Sequence, residues 1–247
     1  LGLFAAPGVV GIYYVAQQVA SLPQKFKTSF EPILGPVITR NLKAGDMPTI
    51  ARQICQVGFW IIAMQTGVAL ALGIPGEAVM GLMGPQFVNG NGALAFLLLA
   101  EVAAATAVVS EAVLIYVARV RNLVVSLITI ALQGALTVGL ILAFRVAGYP
   151  ETYQAAGAAV ALMIALAFAS LIKSRMLSRR LGVPVSALRW SLLWAAGPAG
   201  VVGVLVTALP EWLELSLGMP AILAVYGWVI WKRGFGPEDR ALFRLKG

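Results

Sequence analysis

Residues 93–147 read ALAFLLLAEVAAATAVVSEAVLIYVARVRNLVVSLITIALQGALTVGLILAFRVA. Two apolar runs, from about Ala93 to Val117 and from about Leu123 to Ala147, meet at a short turn that carries Arg119 and Arg121. Each run has the ~20 apolar residues that cross a bilayer as a helix. The turn is basic, and the far end of the second run holds only Arg145. This asymmetry marks a pair of membrane spans whose shared turn faces the cytoplasm.

The same alternation runs along the rest of the chain. Arg40, Lys43 and Arg52 fill one gap between apolar runs. Lys173, Arg175, Arg179, Arg180 and Arg189 fill another, and Lys232, Arg233, Arg240, Arg244 and Lys246 close the chain. The intervening gaps carry Glu77, Glu151, Glu211 and Glu214. The sequence therefore predicts an all-α polytopic transmembrane bundle of about seven spans. Beyond the quoted pair these run from about Pro7 to Arg40, Thr49 to Leu72, Tyr153 to Arg180, Leu188 to Leu209 and Leu215 to Trp231. The C-terminus is expected in the cytoplasm and Leu1 outside. Interfacial aromatics fit this depth: Trp190 and Trp231 at the inner boundary, Tyr149, Tyr153 and Trp212 at the outer. Trp60 falls mid-span and reads as packing.

Composition excludes several function classes. The chain is 60% hydrophobic and 11% charged, with mean hydropathy +0.89, where a soluble domain has about 25% charged residues. Its net charge of +8 is parcelled into short turns, so nucleic acid is not an expected partner. There is no histidine and one cysteine, Cys55. No internal disulfide, His-based triad or His-ligated metal site follows, and no phosphate-cradling loop or nucleophile elbow appears. The expectation is a non-enzyme without cofactor or metal. The first methionine is Met47, after the first span, so the chain reads as a piece of a longer protein, and no cleavable signal peptide is visible.

Local signals place the connections. The run from Gly73 to Gly92, with Pro75, Gly76, Gly81, Gly84, Pro85 and Gly90, must turn repeatedly, with room for a short interfacial helix from Ala78 to Met83. Asp46 followed by Pro48 forms a cap and first turn for the second span. Alanine and glycine crowd the third to fifth spans, as at Ala103 to Ala105 and Ala155 to Ala159, which lets backbones approach closely.

The first span is unusually polar. On a helix, Tyr13, Gln17, Ser21, Gln24, Thr28 and Glu31 fall within about 40° of Gln17, flanked by Lys25 and Lys27. From Gln17 to Glu31 is about 21 Å of helix. A lysine at the centre of a lipid-facing helix costs about 2.5–3.5 kcal/mol, so the stripe is expected to line a water-filled cavity, whose basic flanks suit an anionic head group. The alternative is that the span ends near Gln24, leaving Lys25, Lys27 and Glu31 at the interface as snorkelling or i,i+4-paired charges. Pro23, Pro32 and Pro36 favour a kinked helix. Glu101 and Glu111 are buried charges of the third span, about 15 Å apart along its axis and about 80° apart around it. Each is a candidate for ion or proton coupling, or for pairing with a polar group of a neighbouring helix.

The stretch GVVGIYYVAQQVASLPQKFKTSFEPILGPVITRNLKAGD, from Gly8 to Asp46, resembles the multidrug/oligosaccharidyl-lipid/polysaccharide (MOP) exporter superfamily, in its polysaccharide biosynthesis or O-antigen flippase (Wzx-like) branch. The matching features are Val10 to Tyr13, Leu22-Pro23, Pro36 before a basic turn, and Gly45-Asp46. Gly84-Pro85-Gln86-Phe87 is similar to a loop pattern of the same family. The resemblance implies the C-terminal half of a two-lobed transporter of about fourteen helices, its partner lobe lying upstream. Residues 1–180 would form a partial transport lobe of five spans, and 181–247 two further helices and a short tail. It implies flipping of a lipid-linked oligosaccharide of polyprenyl-phosphate type by alternating access in the cell inner membrane. Gln17, Ser21, Gln24 and Thr28 would bond sugars, and Lys25 and Lys27 would attract pyrophosphate. Alternatives are a drug or metabolite antiporter of the same superfamily and a membrane glycosyltransferase or ligase acting on the same carrier.

Overall fold

The computed structural model describes residues 2, 5–24, 35, 38–150, 152–236 and 239. Among them there is no strand: helices follow one another through tight turns. Proline opens α1 (Pro7–Ala20) at its first position, where the missing N–H costs nothing. Ser21 follows it and donates its hydroxyl to the Gln18 carbonyl at 2.7 Å. Residues 38–44 are helical. Asp46 then caps α2 (Met47–Gly73), accepting from the Thr49 N–H at 3.1 Å, with Pro48 in the first turn as the sequence suggests.

After α2 the chain makes a short helix, α3 (Gly76–Gly81), and a 3-10 turn over Pro85–Gly90. These match the expected interfacial helix to within two residues at each end. Gly84 between them has φ 135°, a backbone open only to glycine. Then come α4 (Asn91–Val117), α5 (Arg119–Val146) and α6 (Thr152–Leu181). Non-helical backbone at Ala118, φ −154° and ψ 44°, breaks α4 from α5, and Gly182, φ 69°, ends α6. The apolar helix α7 (Trp190–Val206) contains Pro198. A π-helical turn over Glu214–Gly218 leads into α8 (Met219–Arg233).

Among the described residues, five helical segments are long and apolar enough to cross a membrane: Met47–Gly73, Pro85–Val117, Arg119–Val146, Thr152–Leu181 and Glu211–Arg233. The protein is thus helical, with the build of a multi-pass membrane protein. Two of the seven expected spans differ. Helix α7 has 17 residues, about 26 Å at ~1.5 Å per residue, slightly short of a ~30 Å hydrocarbon core. The first expected span is helical in α1, and its remainder falls largely outside the described residues.

Small residues bring α4 and α6 together as the centre of the bundle. Ala100, Ala105, Ala155, Ala159, Ala161 and Ala165 are fully buried. In lipid this close contact replaces the hydrophobic effect as the source of helix association. Helix α2 runs antiparallel to α4 in a register set by two close approaches. A Cβ on Gly73 would stand 4.0 Å from the Ala95 Cα, and one on Gly58 3.8 Å from a Val109 methyl. Helix α1 crosses α4 and α6, α7 and α8 pack on α2, and α5 packs on the outside of α6. Only 11% of the apolar window of α5 is buried, with Leu123, Leu127, Ile130 and Val146 exposed. An exposed apolar face of this length is consistent with a membrane-spanning helix.

Candidate functional site

The described part of the polar stripe lies along one open flank of the bundle. Helix α1 buries Val9, Ala16, Val19 and Ala20 against its neighbours, which turns Gln17 outward and leaves Tyr13 half-buried. Ser21 is half-buried and Gln24 exposed. Lys25, Lys27, Thr28 and Glu31 lie outside the described residues. Gln24 ends the described stripe, and its Nε2 donates to Glu101 Oε1 at 2.6 Å. The stripe therefore leads to a carboxylate of α4 that is itself 9% exposed. Sequence reasoning named both residues and did not join them.

Glu111, ten residues on, has a different setting. Its Oε2 receives the Lys173 ammonium at 2.8 Å and its Oε1 the Asn122 amide at 3.1 Å. Lys173 also donates to Ser126 Oγ at 3.1 Å. This is the neighbouring-helix pairing that the sequence left open for Glu111, and it ties α4, α5 and α6 together. Lys173 corrects one reading. Its place beside Arg175, Arg179 and Arg180 made it one more basic-turn residue, yet it is 4% exposed inside α6. A buried lysine needs a partner, and the glutamate one helix away provides it.

Between the two carboxylates, α6 intrudes on the backbone of α4. The Ser170 hydroxyl donates to the Ala103 carbonyl, and the Ala107 N–H donates to Ser170 Oγ at 3.1 Å. One side chain thus occupies a rung of the α4 ladder midway between Glu101 and Glu111. At the depth of Glu101, by the α2–α4 register, lies Gln65. It is 2% exposed, with neither amide atom hydrogen-bonded. An unsatisfied buried amide costs free energy, which makes Gln65 a polar residue that the sequence reading missed. Its signal was present: a glutamine within an otherwise apolar span.

The end of the bundle that carries Arg189 and Arg233 is anchored by Asp239, which is fully buried. Its carboxylate accepts from Arg189 Nη1 at 2.6 Å, Gln56 Nε2 at 2.9 Å, Trp60 Nε1 at 3.2 Å and the Gly236 N–H at 2.8 Å. Burial pushes its carboxyl up, but these four donors outweigh that and hold it below its ordinary value. Arg189 also stacks 4.2 Å from the centre of the Phe59 ring. Trp60 is therefore more than span packing, since its indole N–H binds the chain beyond α8. Asp46, at the start of α2, is also held below its ordinary value, by the hydrogen bond from Thr49 first and the nearby Arg52 charge last.

Among the described residues no three His, Cys, Asp or Glu side chains converge as metal ligands. The arrangement provides a polar, carboxylate-ended strip on the open side of an apolar bundle, and a separate buried ion-pair clamp. The class that the fold defines is a helical bundle with several membrane-capable spans. Compared with family models, curated proteins and solved structures, the chain gives no match.

Proposed function

We propose that this chain is one lobe of a transporter that moves a lipid-linked oligosaccharide across the cell membrane by alternating access. The observation that carries the reading is the open polar flank of α1, running from Tyr13 through Gln17 to the Gln24–Glu101 hydrogen bond. Amide and hydroxyl groups on a bundle of membrane-capable helices are costly against lipid. They are accommodated if a second lobe faces them across a hydrated cavity. The resemblance of residues 8–46 to MOP-type flippases supports the same arrangement, with the second lobe encoded upstream. The basic turns would then face the cytoplasm.

In this reading the sugars of the cargo hydrogen-bond Gln17, Ser21 and Gln24, while Lys25 and Lys27 attract its pyrophosphate. The polyprenyl tail stays in lipid. Glu101 is the residue assigned to ion coupling. Its protonation would weaken the acceptor for Gln24 and so loosen the tether between α4 and the residues that follow α1. Glu111, held by Lys173, is assigned to structure.

One observation favours the antiporter alternative: a carboxylate, not a lysine, terminates the described part of the stripe. The experiment that separates the two is Lys25→Ala with Lys27→Ala in the protein together with its upstream lobe. Loss of glycan export at unchanged membrane insertion is the expected result. Normal export would remove the head-group role, and cation efflux that depends on Glu101 would replace it with the antiporter.

A further inference from the structure

We propose that the basic end of α7 and the chain leaving α8 form a binding site for one anionic phospholipid. Two adjoining clefts define it, and both include Arg189. One, of about 390 Å³, carries the charged groups and is lined by Arg189, Ser191, Arg233, Asp239 and residues 234–236. The other, of about 320 Å³, is apolar and lined by Leu188, Trp190, Leu192 and Leu193. A charged cleft and an apolar cleft that share Arg189 suit the two parts of a lipid better than a soluble anion.

The chemistry of the charged cleft fits a phosphate. Helix α7 begins at Trp190 with no side-chain cap, so its N-terminal dipole end is available to an anion. Ser191 lines the same cleft, with its hydroxyl enclosed. It is 9% exposed and its hydroxyl has no hydrogen-bond partner. Arg233 is exposed and lies 5.0 Å from the centre of the Trp194 ring, with no carboxylate beside it among the described residues. Asp239 is the opposing charge in the cleft, but its oxygens are fully enclosed and already accept from Arg189, Gln56, Trp60 and Gly236.

The apolar cleft opens towards lipid. Leu188 is 70% exposed, Trp190 78% and Leu193 65%. Tryptophan and arginine side by side at the end of an apolar helix are the usual furnishing of the head-group layer, and a basic pocket between helix ends suits an anionic head group. This site lies apart from the α1 stripe, and it depends on the chain spanning a membrane but not on what the stripe transports.

The test counts lipids on the purified, delipidated chain by native mass spectrometry, with phosphatidylglycerol or phosphatidylcholine supplied in detergent micelles. Phosphatidylglycerol should be retained about tenfold better, the scale of one charge-assisted contact. Arg233→Gln should bring it down to the phosphatidylcholine level, Arg233→Lys should keep most of the preference, and Ser191→Ala should reduce it severalfold. Arg233 is exposed, so its variants keep the fold, which circular dichroism checks. Equal retention of the two lipids, or a preference unchanged in Arg233→Gln, would overturn the site. Displacement of phosphatidylglycerol by millimolar inorganic phosphate would overturn the lipid as its occupant.

Discussion

Glu101 and Glu111 are the same residue type on the same helix, and the protein treats them oppositely. Glu111 has a cation within 2.8 Å, an amide donor and a lysine–serine contact behind it. Glu101 receives a neutral amide from Gln24, at the edge of an open polar flank. An ion pair with Lys173 ties Glu111 across helices, and an amide hydrogen bond from Gln24 ties Glu101 to the residues that follow α1. What a glutamate does within a span depends on the groups that meet it.

The largest effect is expected at the clamp. Glu111→Gln removes the carboxylate that faces the buried Lys173 ammonium, and Lys173→Met removes the ammonium that faces Glu111. A fully buried pair broken on one side loses about 3–5 kcal/mol. Glu111 is 37% exposed in its side chain, so the loss from Lys173→Met should fall below that range and the loss from Glu111→Gln within it. The double variant should recover much of the difference. Unfolding in a denaturing detergent titration measures this, and equal stability of all three variants would mean the pair contributes nothing.

At Glu101 the effect should appear in activity before stability. Glu101→Gln retains an acceptor for Gln24 and should unfold within about 0.5 kcal/mol of the parent, while the proposed ion-coupled transport would lose its dependence on the driving ion. Glu101→Ala removes the acceptor as well. A Glu101→Gln protein as unstable as Glu111→Gln would erase the distinction between the two sites. Smaller again is Ser170→Ala, which removes the hydroxyl between them. About 1 kcal/mol is expected, read by the same titration, together with faster amide exchange at Ala107.

A further effect lies outside the spans and is read through its pH dependence. The folded carboxyl of Asp239 sits below its ordinary value, so the stability it adds is complete above the unfolded value of about 3.9. It is lost as pH falls through the lower folded value. Asp239→Asn should flatten only that acid limb of a melting curve taken against pH. An acid limb unchanged in Asp239→Asn would mean that other groups carry it.

Much of the fold was legible because its signals are local. The cap Asp46-Pro48, the break before Arg119 and the short helix near Ala78 each depend on a few neighbouring residues. The seven-span count was less secure at α7, where Pro198 and a 17-residue length weaken a signal that rests on run length alone. The site was half legible. The stripe follows from 3.6-residue periodicity, and Glu101 and Glu111 stand out as charges in apolar runs. Lys173 was misread because charge near a turn looks interfacial until depth is known. Trp60 packs on Phe59 and Phe235 as expected, but its hydrogen bond was not legible because Asp239 lies 179 residues away.

By itself the sequence determined the class: apolar runs of spanning length, turns alternately basic and acidic, and one amphipathic first helix. These follow from transfer free energies and charge placement, which each segment carries alone. Only the tertiary structure decided which polar groups meet. Gln24 finds Glu101 across 77 residues, and Lys173 finds Glu111 across 62. Buried polar groups must find partners wherever the packing of small residues brings helices together, and that packing is a property of the bundle, not of any one span.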